Sequence, residues 1–165
     1  MPQLISPTWR LHAAWQEAHD EWGPGLHEDG FGLLPTDDVE SAKGFSTWLD
    51  RLSRDSDRCI YRWIIDGEQI LGGIALRLGN CDFNQRHGHV GYGIRPSARG
   101  RGLAGWALGR MVAQARALGM ERVLIVCEVN NLASARTIES QGGVLEEGPG
   151  AVRRYWMDVA ARPSS

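Results

Sequence analysis

The segment from Ile94 to Leu108, IRPSARGRGLAGWAL, limits what this chain can fold into more than any other stretch. A strand-like run stops at Pro96, a short turn rich in arginine and glycine follows, and a helix begins. A helix N-terminus presents backbone N–H groups without intrahelical partners and carries about half a unit of positive charge. Glycines at 100 and 102 let the main chain approach a ligand closely, and Arg99 and Arg101 add guanidinium donors suited to phosphate oxygens. A lone glycine pair would read as a capping turn with surface arginines. Strand, basic turn and helix together read as a phosphate cradle.

The charge distribution agrees. The net charge is only −2, yet residues 1–57 hold eleven acidic and four basic side chains. Residues 83–120 hold six arginines and no Asp or Glu. A basic segment inside a mildly acidic protein fits one anionic ligand at one place and not a nucleic-acid-coating surface. With 165 residues the chain reads as a single domain, 1–165, large enough to bury a core. The densest apolar run, Val123 to Cys127, is five residues, far short of a membrane span, and the first fifteen residues lack the pattern of a secretory signal. Three scattered cysteines (59, 81, 127) without a CxxC argue against a disulfide scaffold or structural zinc. The expected location is cytoplasmic.

The rest of the chain predicts a helix over 8–22 and a second starting near Thr36–Asp38, with Asp37 and Glu40 as a capping box. A hairpin is predicted over 59–66 and 69–78, a polar loop at 79–87 and a strand in HVGYGIRP. Ala104, Leu108, Met111, Ala115 and Leu118 mark the apolar stripe of the next helix, stopped by Gly119. A buried strand over 122–128, a helix from Asn130 or Asn131 to about Gln141, and short strands near 144–147 and 152–159 complete the order. The expected fold class is α/β (α+β), with a mixed, mostly antiparallel sheet flanked by helices.

Residues 88–143 resemble the acetyl-CoA-binding core of the GNAT superfamily of N-acetyltransferases. Arg99-Gly100-Arg101-Gly102-Leu103-Ala104 matches the family's phosphate-loop pattern, (Gln/Arg)-x-x-Gly-x-(Gly/Ala), between the expected strand and helix. Asn131-x-x-Ser134 and then Gly142-Gly143 are similar to its second helix, and ASARTIESQGG with a closing RRYW resembles an uncharacterised bacterial branch. The resemblance implies acetyl-CoA as cosubstrate, with no metal. Backbone groups of Tyr92, Gly93 and Ile94 would pair with the pantetheine arm, amides from Arg99 to Ala104 would hold the pyrophosphate, Asn131 would reach the pantetheine, and Ser134 would lie near the CoA tail. Taken alone, Asn131 is a helix N-cap, and both roles can hold.

In such enzymes an amine attacks the thioester directly in a ternary complex, so the protein positions reactants and manages protons. Many relatives place a tyrosine acid in the helix after the Asn; the matching residue here is Ile138. The catalytic candidates are Glu128, at the end of a central strand, and Tyr92, on the strand flanking the thioester. His89 alternates with Tyr92 to the opposite face, and His87 and His89 lack a third metal ligand. Cys127 reads as core. Glu28 and Asp29 are placed at the acceptor entrance, and the acidic N-terminal half suits a cationic amine. Trp15, Trp22, Trp48, Trp63 and Trp156 read as packing, and Trp106 as exposed or buried in a dimer contact. The predicted partner is a small-molecule or peptide amine, with no nucleic acid or membrane; a homodimer and the acyl-chain length stay open. Two alternatives are a non-catalytic acyl-CoA-binding or sensing module and, because Gly100, Gly102 and Gly105 spell GxGxxG, a dinucleotide-binding oxidoreductase.

Overall fold

Neighbouring residues of a strand point to opposite sides of a sheet, and in β2 (Cys59–Asp66) this alternation feeds two separate cores. Ile64 packs into one; Trp63 and Ile65 pack into the other. The computed structural model describes residues 1–23, 30–146, 148 and 150–159. Its other strands are β1 (Gln3–Ile5), β3 (Gln69–Arg77), β4 (Val90–Ile94), β5 (Arg122–Glu128), β6 (Val144–Glu146) and β7 (Val152–Asp158). They form one sheet in the order β1-β2-β3-β4-β5-β7-β6. The β4–β5 pair is parallel and the other pairings are antiparallel. This is the mixed, mostly antiparallel sheet expected from the sequence. It also removes the dinucleotide-binding alternative, which needs a parallel doubly wound sheet.

Helices cover both faces. On one, α1 (His12–Trp22) and α2 (Ala42–Arg54) bury Trp15, Ala18, Phe45, Trp48 and Leu52 against Trp63, Ile65 and Ile70. On the other, α4 (Leu103–Ala117) and α5 (Leu132–Ser140) bury Leu103, Leu108, Met111, Ala135 and Ile138 against Ile74, Leu76, Val90 and Ile125. No helix among the described residues is long and apolar enough to cross a membrane.

Several local expectations need correction. The second helix starts at Ala42, capped by Ser41, whose hydroxyl accepts from the Gly44 N–H at 3.0 Å. The Asp37–Glu40 capping box does not form, because Asp37 instead takes the Arg51 guanidinium and the Leu34 N–H. The 79–87 loop contains a short helix, α3 (Asp82–His87). Its position is fixed by Asn84, whose Nδ2 donates to the Leu78 and Gly79 carbonyls, both at 3.0 Å. The stripe of α4 turns slightly: Leu103 and Ala107 are buried where Ala104 is half-buried, and Leu118 is exposed. Strand β1 is too short to leave a period in the sequence. Trp106 is half-buried against the core, with the Arg110 guanidinium 5.4 Å from its ring.

Candidate active site

The sheet is joined at one end of β4–β5 and open at the other. At the closed end Val90 lies opposite Ile125, and the His89 N–H donates to the Leu124 carbonyl at 2.6 Å. The Leu124 N–H donates in turn to His89 Nδ1 at 2.8 Å, while Nε2 lies 3.0 Å from the Gly79 carbonyl. These contacts require a neutral imidazole with its proton on Nε2, and burial lowers the pKa of His89 in the same direction. Past Val90 the strands share no pairs, and a cleft of about 1050 Å³ opens between them.

One side of the cleft belongs to α4 and α5. Gly102 has φ +76°, a left-handed conformation that only glycine adopts cheaply, and a Cβ added there would meet nothing within 4 Å. The amides of Gly100 to Gly105 make no hydrogen bond with the described residues; the α4 ladder begins with the Trp106 N–H on the Gly102 carbonyl. Unpartnered amides at a helix N-terminus around open space are what a pyrophosphate needs, so the donor set fits this part of acetyl-CoA. Gly100, Gly102, Leu103 and Ala104 line the cleft together with Arg99, which is tied to the Ile94 carbonyl through Nε at 3.0 Å. Arg101 is exposed, stands outside the cleft wall and donates to the Ser97 carbonyl.

Tyr92, Gly93 and Ile94 form the β4 wall, and Asn131, Ser134, Cys127 and Glu128 face them. Asn131 caps α5 by accepting the Ser134 N–H at 3.1 Å. The hydroxyls of Tyr92 and Ser134 share a hydrogen bond of 2.6 Å across the cleft. Burial raises the pKa of Tyr92, which keeps the phenol protonated at neutral pH. Ser134 also reaches the Cys127 thiol, whose pKa burial raises; a protonated, buried thiol agrees with its reading as core. Ile138 is fully buried, so the helix position where relatives carry tyrosine offers no proton donor.

Alternation along the strands divides these groups. Tyr92 and Ile94 share the face of Val90, toward α4 and α5; Gly91 and Gly93 face the α1 side. Along β5, Cys127 lies on the α4–α5 side and Glu128 on the opposite one. The α1 side of the cleft also gathers Trp22, Arg77, Phe83 and His87, none of which sequence reasoning assigned to the site. Glu28 and Asp29 lie outside the described residues. Among the described residues no three His, Cys, Asp or Glu side chains cluster as a metal site.

A buried arginine paired with two more exposed carboxylates ties α1 to the phosphate turn. Arg95, immediately after β4, donates to the Ile70 carbonyl and lies 3.1 Å from Glu21 and 3.3 Å from Glu17. The second oxygen of Glu21 accepts the Ser97 N–H at 2.9 Å. These bonds, with Arg95 first among them, hold the Glu21 carboxyl at about 2. The acidic N-terminal half is therefore partly consumed by structural partners, since Asp37 pairs with Arg51 and Asp38 accepts from Ser41.

An open seam between parallel strands, with a helix N-terminus at its mouth, forms a long cleft with anion-binding amides at one end. The family model of the GNAT acetyltransferase domain matches residues 8–144, and the chain belongs to that family: it is an acetyltransferase, and its acetyl donor is acetyl-CoA. Solved structures with the same fold include a ribosomal L7/L12 alpha-N-protein acetyltransferase, RimL, in complex with coenzyme A. It is 17% identical, with TM-score 0.72, over 95% of this chain and 93% of that one. The ribosomal-protein-S5-alanine acetyltransferase of Vibrio fischeri is 16% identical, with TM-score 0.72, over 95% and 92%. The microcin C7 self-immunity acetyltransferase MccE, solved with acetyl-CoA and AMP, is 14% identical, with TM-score 0.70, over 95% and 92%. No curated protein sequence matches the chain.

Proposed function

We propose that this enzyme transfers the acetyl group of acetyl-CoA to a primary amine by direct attack in a ternary complex. The observation that carries the reading is the open β4–β5 seam, with the unpartnered amides of Gly100 to Gly105 at its mouth. Acetyl-CoA supplies an activated acyl group on a thiol leaving group; the protein supplies position and proton traffic. Amides from Gly100 to Ala104 hold the pyrophosphate, while the Arg99 N–H, expected to join them, donates to the Pro96 carbonyl at 3.3 Å instead; Arg101 adds charge from outside the wall. The edges of Tyr92, Gly93 and Ile94 pair with the pantetheine arm, and Asn131 and Ser134 meet it from α5.

The placement of proton carriers supports the reading. Glu128 stands on the amine side of the seam and takes the proton the nucleophile must lose. Tyr92, on the thiol side, gives its hydroxyl proton to the departing sulfur, and Ser134 lies in hydrogen-bonding position to relay one back. This moves the acid from α5, where Ile138 stands, to β4. Acyl-group chemistry needs no residue between donor and acceptor here, and Cys127 is not used as a nucleophile.

The test is release of free thiol from acetyl-CoA over a broad panel of primary amines, with the acetylated product identified by mass. Amine-dependent release supports the proposal. Tight acetyl-CoA binding without release for any amine would instead favour a sensing role.

A further inference from the structure

Arg77, the last residue of β3, brings a cation into the cleft that the chemistry above does not use. Its backbone N–H donates to the His89 carbonyl at 2.6 Å, so the residue sits in register beside the closed end of the seam. The guanidinium lies across Gly91: a Cβ added to that glycine would come within 2.8 Å of Arg77 Nη2. Gly91 therefore leaves the space that the guanidinium fills on the α1 side of β4. One nitrogen, Nη1, donates to the Gly88 carbonyl at 3.2 Å, and the group stands 5.3 Å from the centre of the Phe83 ring. Phe83 in turn packs on His87, ring to ring at 4.5 Å.

No described carboxylate lies within ion-pair distance of Arg77. Guanidinium groups in half-buried surroundings are ordinarily matched by an anion, and this one spends a single N–H of its five on a described partner. The other charges of the described wall sharpen the point. Arg99 is beside the phosphate turn, and Glu128 is the acidic side chain of the described wall.

We infer that Arg77 is a specificity residue whose guanidinium binds an anionic group carried by the acceptor, so that the substrate is a primary amine bearing a carboxylate. This rests on the amine-acetylation reading above. The ammonium end goes toward Glu128 and the carboxylate toward Arg77, an arrangement that a free amino acid and an acidic peptide N-terminus both satisfy. The cationic amine that the acidic N-terminal half suits thereby becomes an amine that also carries a carboxylate.

The experiment compares matched pairs in the thiol-release assay: each free amino acid with its α-amide, and short C-terminally amidated peptides with Glu or Gln at the second position. The free amino acids and the peptides separate the two sources of the same chemistry. Wild type should favour the carboxylate member of a pair by about tenfold or more in kcat/KM, through KM. Arg77→Met should abolish that preference and Arg77→Lys should restore part of it. Equal rates for both members, turnover of neutral amines alone, or a preference unchanged in Arg77→Met would overturn the inference while leaving amine acetylation standing. Acetyl-CoA binding with no carboxylate-bearing amine acetylated would overturn it as well. An enzyme that fails to bind acetyl-CoA, read separately by its melting shift, would bring down the underlying reading and this inference with it.

Discussion

The two sides of the seam are built from different materials. The α4–α5 side, which on the proposed reading meets the acetyl donor, is largely main chain: amides unpartnered among the described residues, a left-handed glycine and the exposed edge of β4. The α1 side, which on the proposed reading meets the acceptor, is made of side chains brought from four places in the sequence: Trp22, Arg77, Phe83 with His87, and Glu128. Backbone recognition depends on conformation and on what small residues leave empty, so it survives wide sequence change. Recognition by side chains can be rewritten one residue at a time, which suits a fold whose members share a donor and differ in acceptor.

If this division is right, damage on the two sides must read out differently. The largest effect of a conservative change is expected from Glu128→Gln, which keeps size and removes the proposed base. The amine reaction should slow by about 100-fold or more in kcat/KM while acetyl-CoA still binds. A rate within a few fold of wild type would remove Glu128 from the chemistry.

Tyr92→Phe should lower kcat by about tenfold with little change in KM for acetyl-CoA, because only the proton delivered to sulfur is lost. Ser134→Ala should act in the same direction, and the double variant should be less than the product of the two, since the hydroxyls are one hydrogen-bonded unit. Fully multiplicative losses would separate the two residues.

Glu21→Gln tests the link between the sides. It leaves Arg95 buried with a weakened partner and loosens the turn at Ser97, so KM for acetyl-CoA should rise a few fold with kcat nearly unchanged. Glu21→Asp should recover part of it. The pH dependence has a definite sign. A carboxyl held at about 2 in the fold stabilises it fully above the unfolded value near 4.3, and that contribution disappears as pH falls toward 2. Acid unfolding of wild type should therefore be steeper between about pH 4 and 2 than that of Glu21→Gln.

The unequal legibility of the two sides has the same physical origin. A phosphate cradle made of amides requires glycine at defined spacings just before a helix, and Gly100, Gly102 and the α4 periodicity are visible in one dimension. Asn131 is equally visible, because a cap is a local hydrogen bond. The chain order of the other elements and a mixed, mostly antiparallel sheet flanked by helices followed from periodicity and from the resemblance, whereas β1 and α3 did not. The α1 side offered no such local mark. Arg77 ends a strand like many others, and its value comes from the room that Gly91 of β4, fourteen positions away, leaves for its guanidinium. The Tyr92–Ser134 bond joins residues 42 apart and depends on how far the seam opens. Asp37 was misread because its carboxylate has a better partner in Arg51, fourteen residues on, than in the helix start beside it.

The central claim is that the mouth of the open seam holds the phosphates of acetyl-CoA through backbone amides. The most direct measurement is the melting temperature of wild type and Gly102→Glu with and without saturating acetyl-CoA. Ligand at a hundredfold over its dissociation constant stabilises by about 2.7 kcal/mol, a rise of roughly 5–11 °C for a domain of this size. The account predicts that rise in wild type and none in Gly102→Glu, whose side chain enters the open space at a positive φ with the wrong charge. The variant without ligand should still unfold cooperatively, a degree or more below wild type. No rise in wild type, or an equal rise in a folded Gly102→Glu, would contradict it.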